Sequence, residues 1–126
     1  MTEGEQTPVW SGLVDLHAHV LPGVDDGASN DDEALRMLAR FEEEGVAIVA
    51  ATSHAHRCRA ELVEPEVARL NQMAGEARLS VHVVPGMEVR YSSDVVQRAR
   101  EGSVLPLNHT RYLLLELFLG GGWPSR

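Results

Sequence analysis

Cysteine is nearly absent: Cys58 is the one thiol in 126 residues. A lone cysteine permits no disulfide framework, so the sequence reads as a protein of a reducing compartment, the cytoplasm. Basic residues are also scarce, 11 against 19 acidic, for a formal net charge of −8. That balance argues against nucleic acid or an anionic membrane as a partner, because both call for a basic footprint. It leaves phosphorylated substrates open, since bound metal ions can supply a positive field locally. No apolar run, of which Val46–Ala51 is typical, approaches the length of a bilayer span. Met1–Gly12 lacks the basic and then apolar order of a signal peptide. A Walker phosphate loop, a GxGxxG run and a GxSxG elbow are missing too. Cys58 does not supply a thiol-based phosphatase: that chemistry needs a phosphate-binding cradle with an arginine at position 64, where this chain has Glu64.

What remains is an apolar fraction of 44%, enough for the core of one ordinary domain. No internal repeat is visible beyond an alternation of strand-like and helix-like segments. Leu13–Leu16 reads as a strand, followed by a turn-rich loop from His17 to Asn30 with Pro22-Gly23 and Asp26-Gly27. Asp31–Glu44 reads as a helix, with Asn30 and Glu33 as a capping pair and Gly45 as its stop. Val46–Ala51 is a buried strand. Glu64–Arg78 is a second helix opened by Pro65, with Val67, Leu70, Ala74 and Ala77 as its stripe. Val81–Val84 is a third strand, Asp94–Arg100 a third helix capped by Ser93, and Arg111–Leu117 a fourth strand. Strands alternating with helices indicate a parallel α/β fold, and strands with little polar alternation suit a sheet buried on both faces.

In parallel α/β folds function gathers at the carboxyl ends of the strands. Here those ends hold His17 and His19, then His54, then Glu88, then Glu116. Residues two apart on a strand point to the same side, so His17 and His19 aim two imidazoles at one point. Imidazole with carboxylate suits zinc, iron or manganese. Glu116, inside Leu113-Leu114-Leu115-Glu116-Leu117, would be costly to bury without a partner or an ion. Asp25 and Asp26 can be read as turn residues, but with these neighbours Asp25 is expected as a ligand. His56 reads as an exposed loop residue, His82 as a strand residue that packs or faces outward, and His109 as a loop residue.

These residues carry a family resemblance. Leu13-Val14-Asp15-Leu16-His17-Ala18-His19, followed by Leu21-Pro22-Gly23-Val24-Asp25-Asp26-Gly27, resembles the opening of the PHP (polymerase and histidinol phosphatase) superfamily. More narrowly it resembles the bacterial manganese-dependent protein-tyrosine phosphatases of capsular and exopolysaccharide operons. Ala50-Ala51-Thr52-Ser53-His54 is similar to their second motif, with Ser53 and Ala55 where the family usually has Pro and a further His. Val84-Pro85-Gly86-Met87-Glu88-Val89-Arg90 and Arg111-Tyr112-Leu113-Leu114-Leu115-Glu116 are similar to the third and fourth.

The resemblance implies a distorted (β/α) barrel with a metal cluster at its carboxyl mouth. His17, His19, Asp25, His54, Glu88 and Glu116 would be ligands, and Glu88 a bridge between ions. Manganese is the implied metal, with iron or zinc as alternatives, and activated water rather than a side chain is the implied nucleophile. The implied substrate is a phosphotyrosine protein such as a polysaccharide-operon tyrosine kinase. Family members are longer, and their second half brings further ligands and the phosphate-holding arginines. The expected organisation is therefore a polar extension over 1–12, a truncated PHP domain over 13–119 and a non-family tail over 120–126. The domain would be a partial barrel of about four parallel strands and three main helices, with impaired hydrolysis. Two alternatives stand beside this: an inactive fragment that binds or self-associates through an exposed edge strand at 111–119, or another PHP phosphoesterase such as a histidinol phosphatase.

Overall fold

The computed structural model describes residues 12–117; the expected extension as far as Ser11 and the expected tail lie outside them. The chain runs β1 (Leu13–Ala18), α1 (Asp31–Glu43), β2 (Val46–Ala51), α2 (Ala60–Glu76), β3 (His82–Pro85), β4 (Glu88–Arg90), α3 (Val95–Glu101), a 3₁₀ turn (Leu107–His109) and β5 (Leu114–Glu116). All the strand pairs are parallel. One sheet has the order β1-β2-β3, and β4 pairs with β5 in a second. The two sheets meet at an isolated bridge between His54 and Glu88, where Ala55 N–H donates to the Glu88 carbonyl at 2.9 Å and Glu88 N–H to the Ser53 carbonyl at 3.0 Å. The α/β architecture with parallel strands and three helices is as the sequence indicates; the strands form two open sheets among the described residues.

The first helix follows its sequence signals. The Asn30 side chain accepts Glu33 N–H at 2.8 Å, and Asp31, Asp32 and Glu33 place negative charge at the helix's positive end. The Glu33 carboxylate reaches back to Ser29 N–H, at 2.7 Å, not to Asn30 as a capping pair requires. Several boundaries differ from expectation: β1 runs on to Ala18, β3 is His82–Pro85, and Glu88 opens a fifth strand, β4, rather than following the third at its end. Helix α2 starts at Ala60 and carries Pro65 inside it. Val63 already belongs to the buried stripe with Val67, Leu70 and Ala74, so burial rewards an extra turn although Pro65 cannot donate its backbone bond. Helix α3 is entered through Asp94, whose carboxylate accepts from the Ser92 hydroxyl; Ser93 is not the cap. Strand β5 is shorter than Arg111–Leu117 because the preceding residues form a turn: Asn108 and His109 take positive φ, and Leu107 N–H closes on the Tyr112 carbonyl at 2.9 Å.

The core forms on one face of the β1-β2-β3 sheet. Val49, Ala51 and Val83 pack there against Ala34 and Leu38 of α1 and Val63, Val67, Leu70 and Ala74 of α2. The opposite face corrects the expectation of a sheet covered on both sides. Val14 and Leu16 are about half exposed there. With Ile48, Ala50, Val84, Leu107 and Tyr112 they line an open, mostly apolar groove of about 460 Å³. Helices α1 and α2 lie on the same side; on the other, the segment from Leu107 to Tyr112 covers Ala50 and Val84, and the β1 end of the face, Val14 and Leu16, is left open.

The free edge of β3 is closed by a side chain. The Asn71 amide donates to the Val83 carbonyl at 2.8 Å, and its oxygen accepts Val83 N–H at 2.9 Å, reproducing a strand's two bonds from helix α2. Asn71→Ala leaves both partly buried groups of Val83 unpaired. It is expected to destabilise the fold by about 1–3 kcal/mol, seen as a lower urea midpoint with an unchanged slope. A midpoint equal to wild type would show that the amide bonds contribute nothing.

Candidate metal centre

Four of the five strands, β1, β2, β4 and β5, bring a polar residue to the same rim; β3 brings none. His17 lies in β1 and His19 just beyond it; His54 follows β2; Glu88 opens β4; Glu116 closes β5. The strands are positioned there by apolar packing and by one polar joint. Thr52, fully buried, accepts Ala18 N–H with its hydroxyl at 2.9 Å and gives its own N–H to the Ala18 carbonyl at 2.8 Å. That joint locks the end of β1 to the end of β2 at the point where the histidines emerge.

Glu88 is the hub. Its Oε1 lies 3.0 Å from His19 Nε2, 3.2 Å from His17 Nε2 and 3.5 Å from His54 Nδ1. The two Nε2 atoms of His17 and His19 are 3.4 Å apart, as their same-side placement on the strand predicts. On the far side, His54 Nδ1 is 3.6 Å from Glu116 Oε1, which also faces Arg90 Nε at 3.6 Å. His54 Nδ1, Glu88 Oε1 and Glu116 Oε1 are all buried, and none has a hydrogen bond of acceptable geometry. Buried polar atoms are almost always partnered, so three orphans side by side describe a place for something else.

The two aspartates of the Asp-Asp-Gly turn do different things. Asp25 is buried and bonded: its Oδ2 lies 2.8 Å from His19 Nδ1 and accepts His54 N–H at 2.9 Å, and its Oδ1 accepts Gly27 N–H at 3.0 Å. Asp26 is exposed, with Oδ1 3.5 Å from His54 Nε2 and 3.8 Å from His19 Nδ1. Sequence reasoning favoured Asp25 for contact with an ion and passed over Asp26. Two adjacent aspartates in a turn carry no sequence signal that tells which one faces outward.

Together the side chains form three overlapping groups able to hold a cation: His19, Asp25, Asp26 and His54; His17, His19 and Glu88; and His54, Glu88 and Glu116. Glu88 and His19 are each shared. His54 is shared as well, but a neutral imidazole offers one lone pair: His54 can serve Asp26's group through Nε2 or Glu116's through Nδ1, and His19 the aspartates through Nδ1 or Glu88 through Nε2, not both.

The remaining histidines and the cysteine stay outside the groups. His56 is exposed and packs its ring on His54, with centroids 5.1 Å apart. His82 faces outward, and His109 pairs with Glu64 at 3.2 Å on the surface. Cys58 is partly buried, and burial, reinforced by Asp25 and Glu66, pushes its thiol up and away from a thiolate.

Electrostatics follow the geometry. Burial opposes a charged ring at His19, but the hydrogen bond and charge of Asp25, then Glu88 and Asp26, outweigh it and hold the ring above its ordinary 6.5. Burial would raise Asp25, but the N–H groups of His54 and Gly27 and the His19 ring outweigh it and hold the carboxyl below its ordinary 3.8. In the metal-free chain the histidine's contribution is complete below pH 6.5 and lost as pH rises through its raised value. The aspartate's is complete above pH 3.8 and lost as pH falls through its lowered value. The pair therefore stabilises most between these limits. With chelator present, His19→Gln should lower urea stability more at pH 5 than at pH 8.5; an equal or reversed difference would contradict the assignment.

Comparison with known proteins places the chain in a family. The profile of the CpsB/CapC family, described as capsular polysaccharide synthesis, matches residues 13–121. Among curated relatives, the tyrosine-protein phosphatase YwqE of Bacillus subtilis is 32% identical over 109 residues, covering 82% of this chain and 42% of that protein. The putative tyrosine-protein phosphatase CapC of Staphylococcus aureus is 30% identical, with the same two coverages. The tyrosine-protein phosphatase CpsB of Streptococcus pneumoniae is 28% identical, covering 82% and 44%. A crystal structure from a study of YwqE and CpsB, described as unique metal-dependent tyrosine phosphatases, superposes with a TM-score of 0.82 at 29% identity, covering 85% of this chain and 45% of that one. The chain thus spans less than half the length of the relatives it matches. The match runs from the first strand through every strand-end group, and the chain belongs to the CpsB/CapC family of capsular polysaccharide synthesis.

Proposed function

We propose that this chain carries the amino-terminal part of a divalent-metal centre for phosphomonoester hydrolysis, with phosphotyrosine in protein as its substrate class. The observation that supports it best is the trio of buried, orphaned atoms on His54, Glu88 and Glu116 beside the His17–His19 pair. Four carboxylates crowded on three imidazoles repel one another unless protons or cations intervene. The donor set, imidazole plus carboxylate, fits manganese, and also iron or zinc. His17, His19, His54, Glu88 and Glu116 would hold ions, with Glu88 shared between them, and of the two aspartates Asp26 has the oxygens to spare.

Bound divalent ions would supply an activated water at neutral pH and neutralise charge on the phosphoryl oxygens. The protein's part is to hold the donors. Thr52 and the His54–Glu88 bridge fix the strand ends, and no described side chain is placed as a nucleophile. The relatives' names support tyrosine phosphatase chemistry, and a tyrosine kinase of a polysaccharide operon is the partner this reading favours. The single cysteine supports a cytoplasmic setting, and no helix among the described residues is long and apolar enough to cross a membrane. A partial PHP-type barrel is the fold this reading implies. The exposed face of β1-β2-β3 supports a second reading, a binding or self-associating module, which light scattering that returns a clean monomer would count against.

Two measurements test the main reading. After dialysis against Mn²⁺ and then buffer, elemental analysis should find retained metal in wild type, and Glu88→Gln should lose most of it. A wild-type chain that retains no Mn, Fe or Zn overturns the metal centre. Turnover of para-nitrophenyl phosphate by residues 1–126 with Mn²⁺ should be weak beside a full-length relative, of which they match less than half, since one transition-state donor is worth about 3 kcal/mol. Turnover equal to that relative would show that the matched stretch suffices.

A further inference from the structure

We propose that Asp25 is a positioning residue and not a ligand: it fixes His19 as the Nδ1–H tautomer, so that Nε2 presents its lone pair to the rim, and it ties that ring to the backbone of His54. The proposal deepens the metal-centre reading and rests on it for its functional meaning. Its structural content stands on geometry alone.

The carboxylate is spent on the protein. Oδ2 receives His54 N–H at 2.9 Å and lies 2.8 Å from His19 Nδ1, and Oδ1 receives Gly27 N–H at 3.0 Å. Its side chain has no exposure to solvent. An ionised carboxylate only accepts, so the His19 nitrogen facing it must be the donor, and the neutral ring's lone pair then lies on Nε2. That nitrogen points at Glu88 Oε1, 3.0 Å away, with His17 Nε2 beyond at 3.4 Å. Metal-binding histidines are commonly oriented in this way, by a carboxylate on the other ring nitrogen.

The turn is built to bring Asp25 to this place. A Cβ at Gly27 would lie 2.2 Å from the His19 carbonyl oxygen and 2.4 Å from the His19 Cβ, so only glycine lets the loop fold flat against the histidine. Ala28 N–H then donates to that same carbonyl at 3.1 Å. The ring is gripped from behind while the next residue, Asp26, is left on the exposed side facing His54 Nε2. Because one carboxylate oxygen touches both the His19 ring and the His54 backbone, a change at Asp25 moves two members of the centre together.

The test is the ring tautomer, read from ¹⁵N–¹H long-range correlations of the metal-free chain at a pH where His19 is neutral. Wild type should show Nδ1 protonated and Nε2 bare; a wild-type ring protonated on Nε2 overturns the proposal without any variant. Asp25→Asn cannot accept from all three donors and should return His19 toward the Nε2–H form, with Mn²⁺ and Zn²⁺ binding weakened about 10–100-fold by calorimetry. Asp26→Asn should weaken metal binding and leave the His19 tautomer as in wild type. If Asp25→Asn abolishes binding while Asp26→Asn leaves it unchanged, Asp25 is the ligand and the proposal fails. A wild-type chain with the Nδ1–H tautomer that takes up no metal would support the clamp and overturn the metal-centre reading.

Discussion

The Glu88 carboxylate is the interaction on which the site depends. A carboxylate buried beside the core costs several kcal/mol unless something offsets the lost hydration. Here one oxygen sits among His17, His19 and His54 at 3.0–3.5 Å, yet none of them gives it a well-formed hydrogen bond. Protons on the imidazoles can offset part of that cost, and a divalent ion shared with them offsets more. The fold places Glu88 there through backbone, not through side-chain preference. Its own N–H and carbonyl are held by Ser53 and Ala55 in the bridge that joins the two sheets. Weakening the sheet junction and moving the hub are therefore the same perturbation.

The parts of the fold legible in the sequence were those where a local signal has one structural meaning. Asn30 before three acids marks a helix start, Gly45 at φ +89° marks its stop, and the apolar, β-branched run Val46–Ala51 marks a strand. Pro65 misled because its preference for a helix's first turn is weaker than the burial of Val63, which draws the helix past it. Arg111–Leu117 reads as one strand because its apolar residues continue, but Asn108 and His109 in left-handed conformation spend the preceding residues on a turn.

The same distinction runs through the site. That His17 and His19 share a direction follows from the period of a strand, and their Nε2 atoms do meet. That Glu116 stands beside His54 follows from parallel strands ending at one edge, whereas Glu88, at the start of β4, is brought there by its backbone bridge to His54. The separate roles of Asp25 and Asp26 do not follow from any pattern. They are decided by which carboxylate the turn's own N–H groups capture, and that depends on Gly27 lying against His19 in three dimensions.

The partly open sheet face shows where sequence reasoning reaches a physical limit. Ile48, Ala50 and Val84 alternate with Val49, Ala51 and Val83, which meet the helices, and Val14 and Leu16 of β1 extend the same apolar face. An apolar run of this kind is required by a sheet covered on both sides, and it says nothing about which chain segment does the covering. The strands that expose this face are the ones that carry His17 and His19, and just beyond β2 His54, at their carboxyl ends. Burying the face at about 25 cal/mol per Å² would stiffen β1, whose pairing with β2 is already irregular between Asp15 and Ala18. That irregularity sits at His17, the most exposed histidine of the rim group around Glu88. Packing on the apolar face and the precision of the His17–His19 pair are thus coupled through one short strand: what covers Val14 and Leu16 also sets how firmly two imidazoles hold their aim at Glu88.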